Sequence, residues 1–191
     1  NAICEFLGAN WYALAGTLIL AAGVVVHLVY ATVLTLHNRS SRGSQRYAMT
    51  AEPEGVTWAS RNMYVLGIII VLGLLLHLYN FWYNMQFAEI IGNHELGPFP
   101  PADGAAYIAA LFSSPVYCII YLVWFAAIWF HLTHGFWSAF HTIGWDNQTW
   151  LPRLKRIANV VATIVFLCFA LVVIVFYLRS LGVCGGSCAG F

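Results

Sequence analysis

Five histidines carry the chemistry this chain can offer. The stretch FHLTHGFWSAFHTIGW, residues 130–145, puts His131, His134 and His141 within eleven residues. His27 and His77 stand alone in two other apolar runs. Neutral imidazole is a common metal ligand, and haem iron takes its axial ligands from such side chains. The plainer role for one such ring is a hydrogen bond between packed helices. No dinucleotide-binding glycine fingerprint occurs, and no cysteine spacing suits an iron–sulfur cluster.

These rings need elements to hold them. Of 191 residues, 61% are hydrophobic and 8% charged. A soluble domain carries about 25% charge, so too little is present to cover a water-facing surface. No basic face for nucleic acid, low-complexity tract or internal repeat is evident. The composition predicts an all-α polytopic membrane bundle. A bilayer core needs about 20 apolar residues per helix. Four stretches qualify, at about 12–36, 62–83, 115–140 and 157–179, within one membrane domain spanning 1–191. Trp11, Trp58, Trp82, Tyr83, Trp145 and Trp150 fall at the predicted ends, where interfacial aromatics belong.

Charge sets the orientation. Arg39, Arg42, Arg46 and Arg61 lie in or beside the first connection, and Arg153, Lys155 and Arg156 in the third. The second connection, 84–114, has no Lys or Arg and carries Glu89, Glu95 and Asp103. Arg179 alone lies at the other end, where its stem can snorkel. The positive-inside rule places the first and third connections in the cytoplasm. The start of the chain then faces outward without a signal-peptide pattern. That predicts a further helix upstream, crossing from the cytoplasm to the outside.

Depth sorts the histidines. At 1.5 Å per residue, His27 lies roughly 22 Å and His134 roughly 28 Å from the outer face. His77 lies roughly 22 Å from the inner face. His27 and His134 therefore match as two axial ligands of an inner haem. His77 suits an outer haem whose second histidine lies on the upstream helix. His131, one turn from His134, is a rival ligand, a haem-edge contact or a quinone contact. His37, His94 and His141 fall at span ends or in loops. Gly23, Gly73 and Gly135 stand near the three ligands and could admit a flat macrocycle or simply a second helix. Arg61 could pair with haem propionates or serve as a positive-inside anchor.

The motifs SRNM (60–63), HLYNFWY (77–83) and HLTHGFWSAFHTIGW (131–145) resemble the cytochrome b subunit of succinate dehydrogenase and fumarate reductase. The similarity is to the five-helix, dihaem, menaquinone-using type found in Bacteroidetes-like bacteria, and it covers nearly the whole chain. In that family four histidines on the first four helices bind two haems b. The matching positions are His27, His77 and His134, and the fourth belongs to the family's first helix. The resemblance implies a location in the bacterial cytoplasmic membrane. It implies an anchor for an iron–sulfur subunit and an FAD flavoprotein subunit, passing electrons to or from menaquinone, with possible dimers of the whole complex. The flavoprotein would interconvert succinate and fumarate; no residue of this chain would. An acidic residue near the family's outer quinone site has its nearest candidate in Glu5. Some members carry a proton-transferring glutamate two residues before the third-span ligand, where this chain has Leu132. Family members often carry Gln at the position of His141.

Other readings predict different observations. Cys184 and Cys188 in VCGGSC fall in the outward tail, where a disulfide could form in an oxidising compartment. With Cys4 they suggest a thiol oxidase that passes electrons to quinone, which would leave the deep histidines unexplained. Cys118 and Cys168 fall in spans, as packing residues. A dihaem anchor of a hydrogenase or formate dehydrogenase would dock its partners on the outer face. A transporter or cofactor-free structural anchor would show no visible absorbance.

Overall fold

The computed structural model describes residues 1–8, 10–42, 56–145 and 147–183. All of their regular structure is helical. A short helix α1, Ala2–Gly8, precedes α2, Trp11–Arg42. Asn10 starts α2 by accepting the Tyr12 amide at 3.0 Å. A capping box opens α3, Trp58–Arg61: Thr57 Oγ1 accepts the Ser60 amide at 3.2 Å, and Ser60 Oγ accepts the Thr57 amide at 3.1 Å. Next come α4, Met63–His77, a π-helical stretch, Leu78–Phe87, and α5, Ala88–Ile91. These three form one rod that ends at Gly92, whose φ of 67° suits a helix terminus requiring the left-handed region. Helix α6, Gly104–Leu111, is capped by Asp103, which accepts the Ala106 amide at 3.2 Å. Helix α7, Pro115–Thr142, has Pro115 at its first position, where no amide hydrogen is needed. Helix α8, Trp150–Ser180, follows a turn in which Asn147 Oδ1 accepts the Trp150 amide at 2.7 Å.

Among the described residues, four helical rods are long and apolar enough to cross a membrane: Trp11–Ser41, Met63–Ile91, Pro115–Thr142 and Trp150–Ser180. This is a multi-pass membrane protein. The rods outrun the expected apolar stretches because a helix continues through the headgroup layer. At 1.5 Å per residue, a rod of about 30 residues reaches roughly 45 Å, the thickness of core plus interfaces. The second rod passes its expected end at Tyr83 by eight residues. Asn84 and Gln86 look like a stop in sequence, yet their side chains are used inside the bundle. Asn84 Nδ2 donates to the Tyr79 and Asn80 carbonyls at 3.0 and 3.1 Å. Thr17 Oγ1 of α2 donates to Gln86 Oε1 at 3.1 Å. Trp82 and Tyr83 thus lie within the rod rather than at its end.

The core sits between α4, α6, α7 and α8, around Phe112, Cys118, Tyr121, Trp124, Phe125 and Val173. Ala158, Ala162 and Ala170 are buried on α8 and allow α7 to approach closely. Two indoles tie α7 to its neighbours. Trp129 Nε1 donates to Thr163 Oγ1 of α8, and Trp124 Nε1 to the Ile70 carbonyl of α4, each at 3.0 Å. Helix α2 differs: none of its most apolar window is buried.

Candidate functional site

His77 ends α4 at the point where the backbone widens into the π-helical stretch. Such stretches recur at functional sites, and their i→i+5 bonding re-aims the following side chains. Three rings surround the imidazole: Phe81 at 5.1 Å, Trp124 at 5.5 Å and Tyr121 at 6.3 Å between centroids. Tyr121 is itself held, its hydroxyl accepting from Asn80 Nδ2 at 3.2 Å. Trp124 is held by its bond to Ile70 and by Gly73, where an added Cβ would overlap the indole. Gly73 therefore serves helix packing: the Trp124 indole fills the space that a macrocycle would have needed there.

His77 also opens onto a cavity of ≈ 500 Å³ between α6, α7 and α8. Its walls are almost wholly apolar, with Phe112, Phe125, Leu132, Phe166 and Val173 among them. The volume falls in the usual range for cofactor and small-ligand sites.

The second group lies nearer the basic end of the bundle. The rings of His27 on α2 and His131 on α7 stand 6.1 Å apart, nearly perpendicular at 75°. His134, one turn further along α7, packs edge-on against Trp137 at 4.9 Å. Lys155 of α8 places its ammonium 4.3 Å above the same indole. The contact the structure sets against His27 is thus His131, where depth alone had suggested His134. A Cβ added at Gly135 would meet Met63 Cε at 3.6 Å and His131 Cδ2 at 3.8 Å, ordinary packing distances; one at Gly23 would meet nothing.

The Nδ1 atoms of His77, His131 and His134 are buried without a hydrogen-bond partner among the described residues, as is Trp82 Nε1. A buried polar atom left unpaired costs about 1–3 kcal/mol. The unpaired atom is Nδ1 in all three imidazoles, so only a group reaching that nitrogen would remove the cost; ligation through Nε2 would leave it in place. Among the described residues, no three His, Cys, Asp or Glu side chains form a group able to hold a metal ion. Axial ligation asks less, since the macrocycle supplies the other bonds. The features that bear on a haem are imidazoles on different helices, apolar walls and no carboxylate among those walls; His77 is the one histidine lining the cavity.

The remaining candidates fall elsewhere. Arg61 ends α3 beside the start of the second rod. His141 lies in the last turn of α7, and His37 is exposed on α2. His94 Nδ1 stands 3.8 Å from Glu89 Oε1. Glu5 is exposed on α1 and lines a shallow surface pocket with Ala2, Phe6, Asn10 and Trp11. Cys118 is buried, its Sγ donating to the Phe112 carbonyl at 3.4 Å, and Cys168 is exposed on α8. Cys4 packs against Gly104, where a Cβ would come within 2.7 Å of its Sγ. Cys184 and Cys188 lie outside the described residues.

Sequence reasoning missed the bracing residues Tyr121, Trp124, Trp137 and Lys155. A signal existed: Tyr121, Trp124 and His131 recur at one- and two-turn spacings along α7. It also missed the cap at the opposite end. There Tyr107 Oη donates to the Phe99 carbonyl at 2.7 Å and lies within 3.3 Å of the Asn84 carbonyl. Burial pushes this phenol's pKa up. Asn1 Nδ2 donates to Asp103 Oδ1 at 2.8 Å, joining α1 to the same cap.

No known family, curated protein or solved structure matches the chain.

Proposed function

We propose that this chain is the dihaem cytochrome b anchor of a succinate:quinone oxidoreductase in a bacterial cytoplasmic membrane. What supports it is the placement of the deep imidazoles: His77 among three aromatic rings, and His27 facing His131 with His134 one turn further along α7. The cavity beside His77 adds a space of suitable size. The motifs that resemble the succinate dehydrogenase and fumarate reductase cytochromes supply the rest.

In this reading His77 holds an outer haem b, and His27 and His134 hold an inner one. Bound haem supplies one-electron transfer through the membrane. The chain's own residues position and insulate it. Trp124 and Tyr121 fix the plane of the His77 ring, and the aromatic cavity walls exclude water. Arg61 offers a guanidinium to propionates at the inner face. His131 stands between the inner candidates as an edge contact or competing ligand. Glu5, exposed at the opposite end, is the candidate acidic group for menaquinone or menaquinol. An iron–sulfur subunit and an FAD flavoprotein dock on the cytoplasmic face, where the succinate–fumarate chemistry takes place.

The test is a reduced-minus-oxidised visible spectrum of the native complex, with haem counted per chain. Two b-type haems per chain are expected. One haem would leave His77 without its role, and none would overturn the reading.

A further inference from the structure

A second cavity has none of the histidines discussed above among its lining residues, although His141 sits in the same turn. It has a volume of ≈ 610 Å³ and is lined by Phe140, Gly144, Trp145, Asn147, Trp150 and Leu154, in the turn between α7 and α8. This cup is built for an occupant on three counts.

Its aromatic wall faces outward. Trp145 is 67% exposed and Trp150 51%. Trp145 stacks on Phe140, 5.8 Å between centroids and 12° from parallel, so a broad flat surface is held in place. The turn is shaped for this. Gly144 takes φ 85°, a left-handed conformation open to glycine, and it swings Trp145 back over α7. Asn147 Oδ1 accepts the Thr149 and Trp150 amides at 3.1 and 2.7 Å and thereby holds Trp150 at the start of α8.

Its depth is that of lipid headgroups. It lies where two membrane-crossing helices meet their connection, and indole rings favour that layer. A cation stands beside the cup. Arg153 holds its guanidinium 5.2 Å above the Trp150 ring, at the edge of the cup. Lys155 and Arg156 follow on the first turns of α8. The acidic residue of the turn, Asp146, lies outside the described residues.

We propose that this cup binds an anionic phospholipid, with an acyl chain against Phe140, Trp145, Trp150 and Leu154 and the phosphate headgroup facing Arg153. Apolar cup, headgroup depth and neighbouring cations are together what such a lipid recognises. Basic pockets between transmembrane helices on the cytoplasmic side bind lipids of this class. The inference does not depend on haem, so it stands or falls separately from the function proposed above.

The probe is phosphatidylglycerol, with phosphatidylcholine of the same acyl composition as control. Each is titrated into the intact delipidated protein and followed by native mass spectrometry. Phosphatidylglycerol should be retained in preference, as one tight adduct. Arg153→Gln should weaken it about fivefold, since a basic residue near the surface contributes about 1 kcal/mol. Trp150→Leu should weaken both lipids. Arg153 is exposed and caps nothing, so its variant keeps the proposal testable if Trp150→Leu fails to fold. Equal retention of the two lipids, or an unchanged Arg153→Gln, would overturn the proposal. So would loss of a protein subunit from Arg153→Gln with lipid retention intact, which would mark the cup as a protein interface.

Discussion

Gly73→Ala tests how the His77 site is built. The added Cβ would overlap the Trp124 indole at its Cδ1, Cγ and Nε1 atoms, all on the buried side of α4. The indole has to leave its slot. Overpacking of this kind costs about 1–3 kcal/mol. Breaking the bond from Trp124 to the Ile70 carbonyl adds about 0.5–1.5 kcal/mol. Alanine's better helix propensity returns about 1 kcal/mol. The net loss is roughly 2 kcal/mol, which is about thirtyfold in the folded-to-unfolded ratio. Unfolding in mixed micelles of rising SDS fraction, followed by tryptophan fluorescence, measures it. The decisive comparison is the double variant. In a Trp124→Leu background the slot is empty, so Gly73→Ala should cost little or stabilise. A Gly73→Ala protein that unfolds at the parent's SDS fraction would refute the reasoning. So would a penalty of equal size in both backgrounds, because the coupling between the two residues would then be absent.

Other predictions follow from the same geometry. Under the proposed dihaem function, His77→Ala should remove one b-type signal from the visible spectrum and leave a second. His27→Ala should remove the other, and comparing His131→Ala with His134→Ala spectra decides which α7 ring shares that group with His27. Thr163→Val should leave the Trp129 indole nitrogen unpaired between α7 and α8, lowering micellar stability by about 0.6–2 kcal/mol. Tyr107 carries a raised pKa because it is buried, so the unfolded chain ionises first as pH rises. Its contribution is present in full below about pH 10 and is lost as pH climbs from there through the raised folded value. Tyr107→Phe should lower the thermal midpoint at neutral pH through the lost bond to Phe99, yet show a shallower decline above pH 10.

The four spans were legible because apolar runs of membrane length have few other uses. Their ends were not, because polarity is a poor guide to where a membrane helix stops. Asn84 reads as a terminator but turns back to bond the Tyr79 and Asn80 carbonyls, and the rod runs on to Gly92. The histidines were legible as a set, since deep imidazoles are rare enough to notice. Their neighbours depend on helix rotation, which depth cannot supply. His131 and His134 differ by three residues, about 4.5 Å of rise and 60° of turn. That is enough to send one ring toward α2 and the other toward Trp137 and Lys155. Gly73 shows the same limit from another side. A glycine one turn from a histidine marks close approach, and only the fold reveals that an indole makes it.

The two histidine groups are held with different firmness. His77 sits among three rings, and one of these is locked by a hydrogen bond and a glycine slot before any ligand arrives. A ligand there meets an imidazole already aimed, so little binding energy goes into ordering it. His27 is carried by α2, whose most apolar window buries nothing inside the chain. Helix α2 meets the bundle through scattered contacts, among them Thr17 to Gln86 near one end and His27 to His131 further along. A group held jointly by His27 and an α7 histidine would therefore tie α2 to the bundle where packing does not. Anything that binds only the assembled form stabilises it by mass action. Under the proposed function, a group at His77 would find its site preorganised by aromatic packing, whereas a group held by His27 would be coupled to the docking of α2.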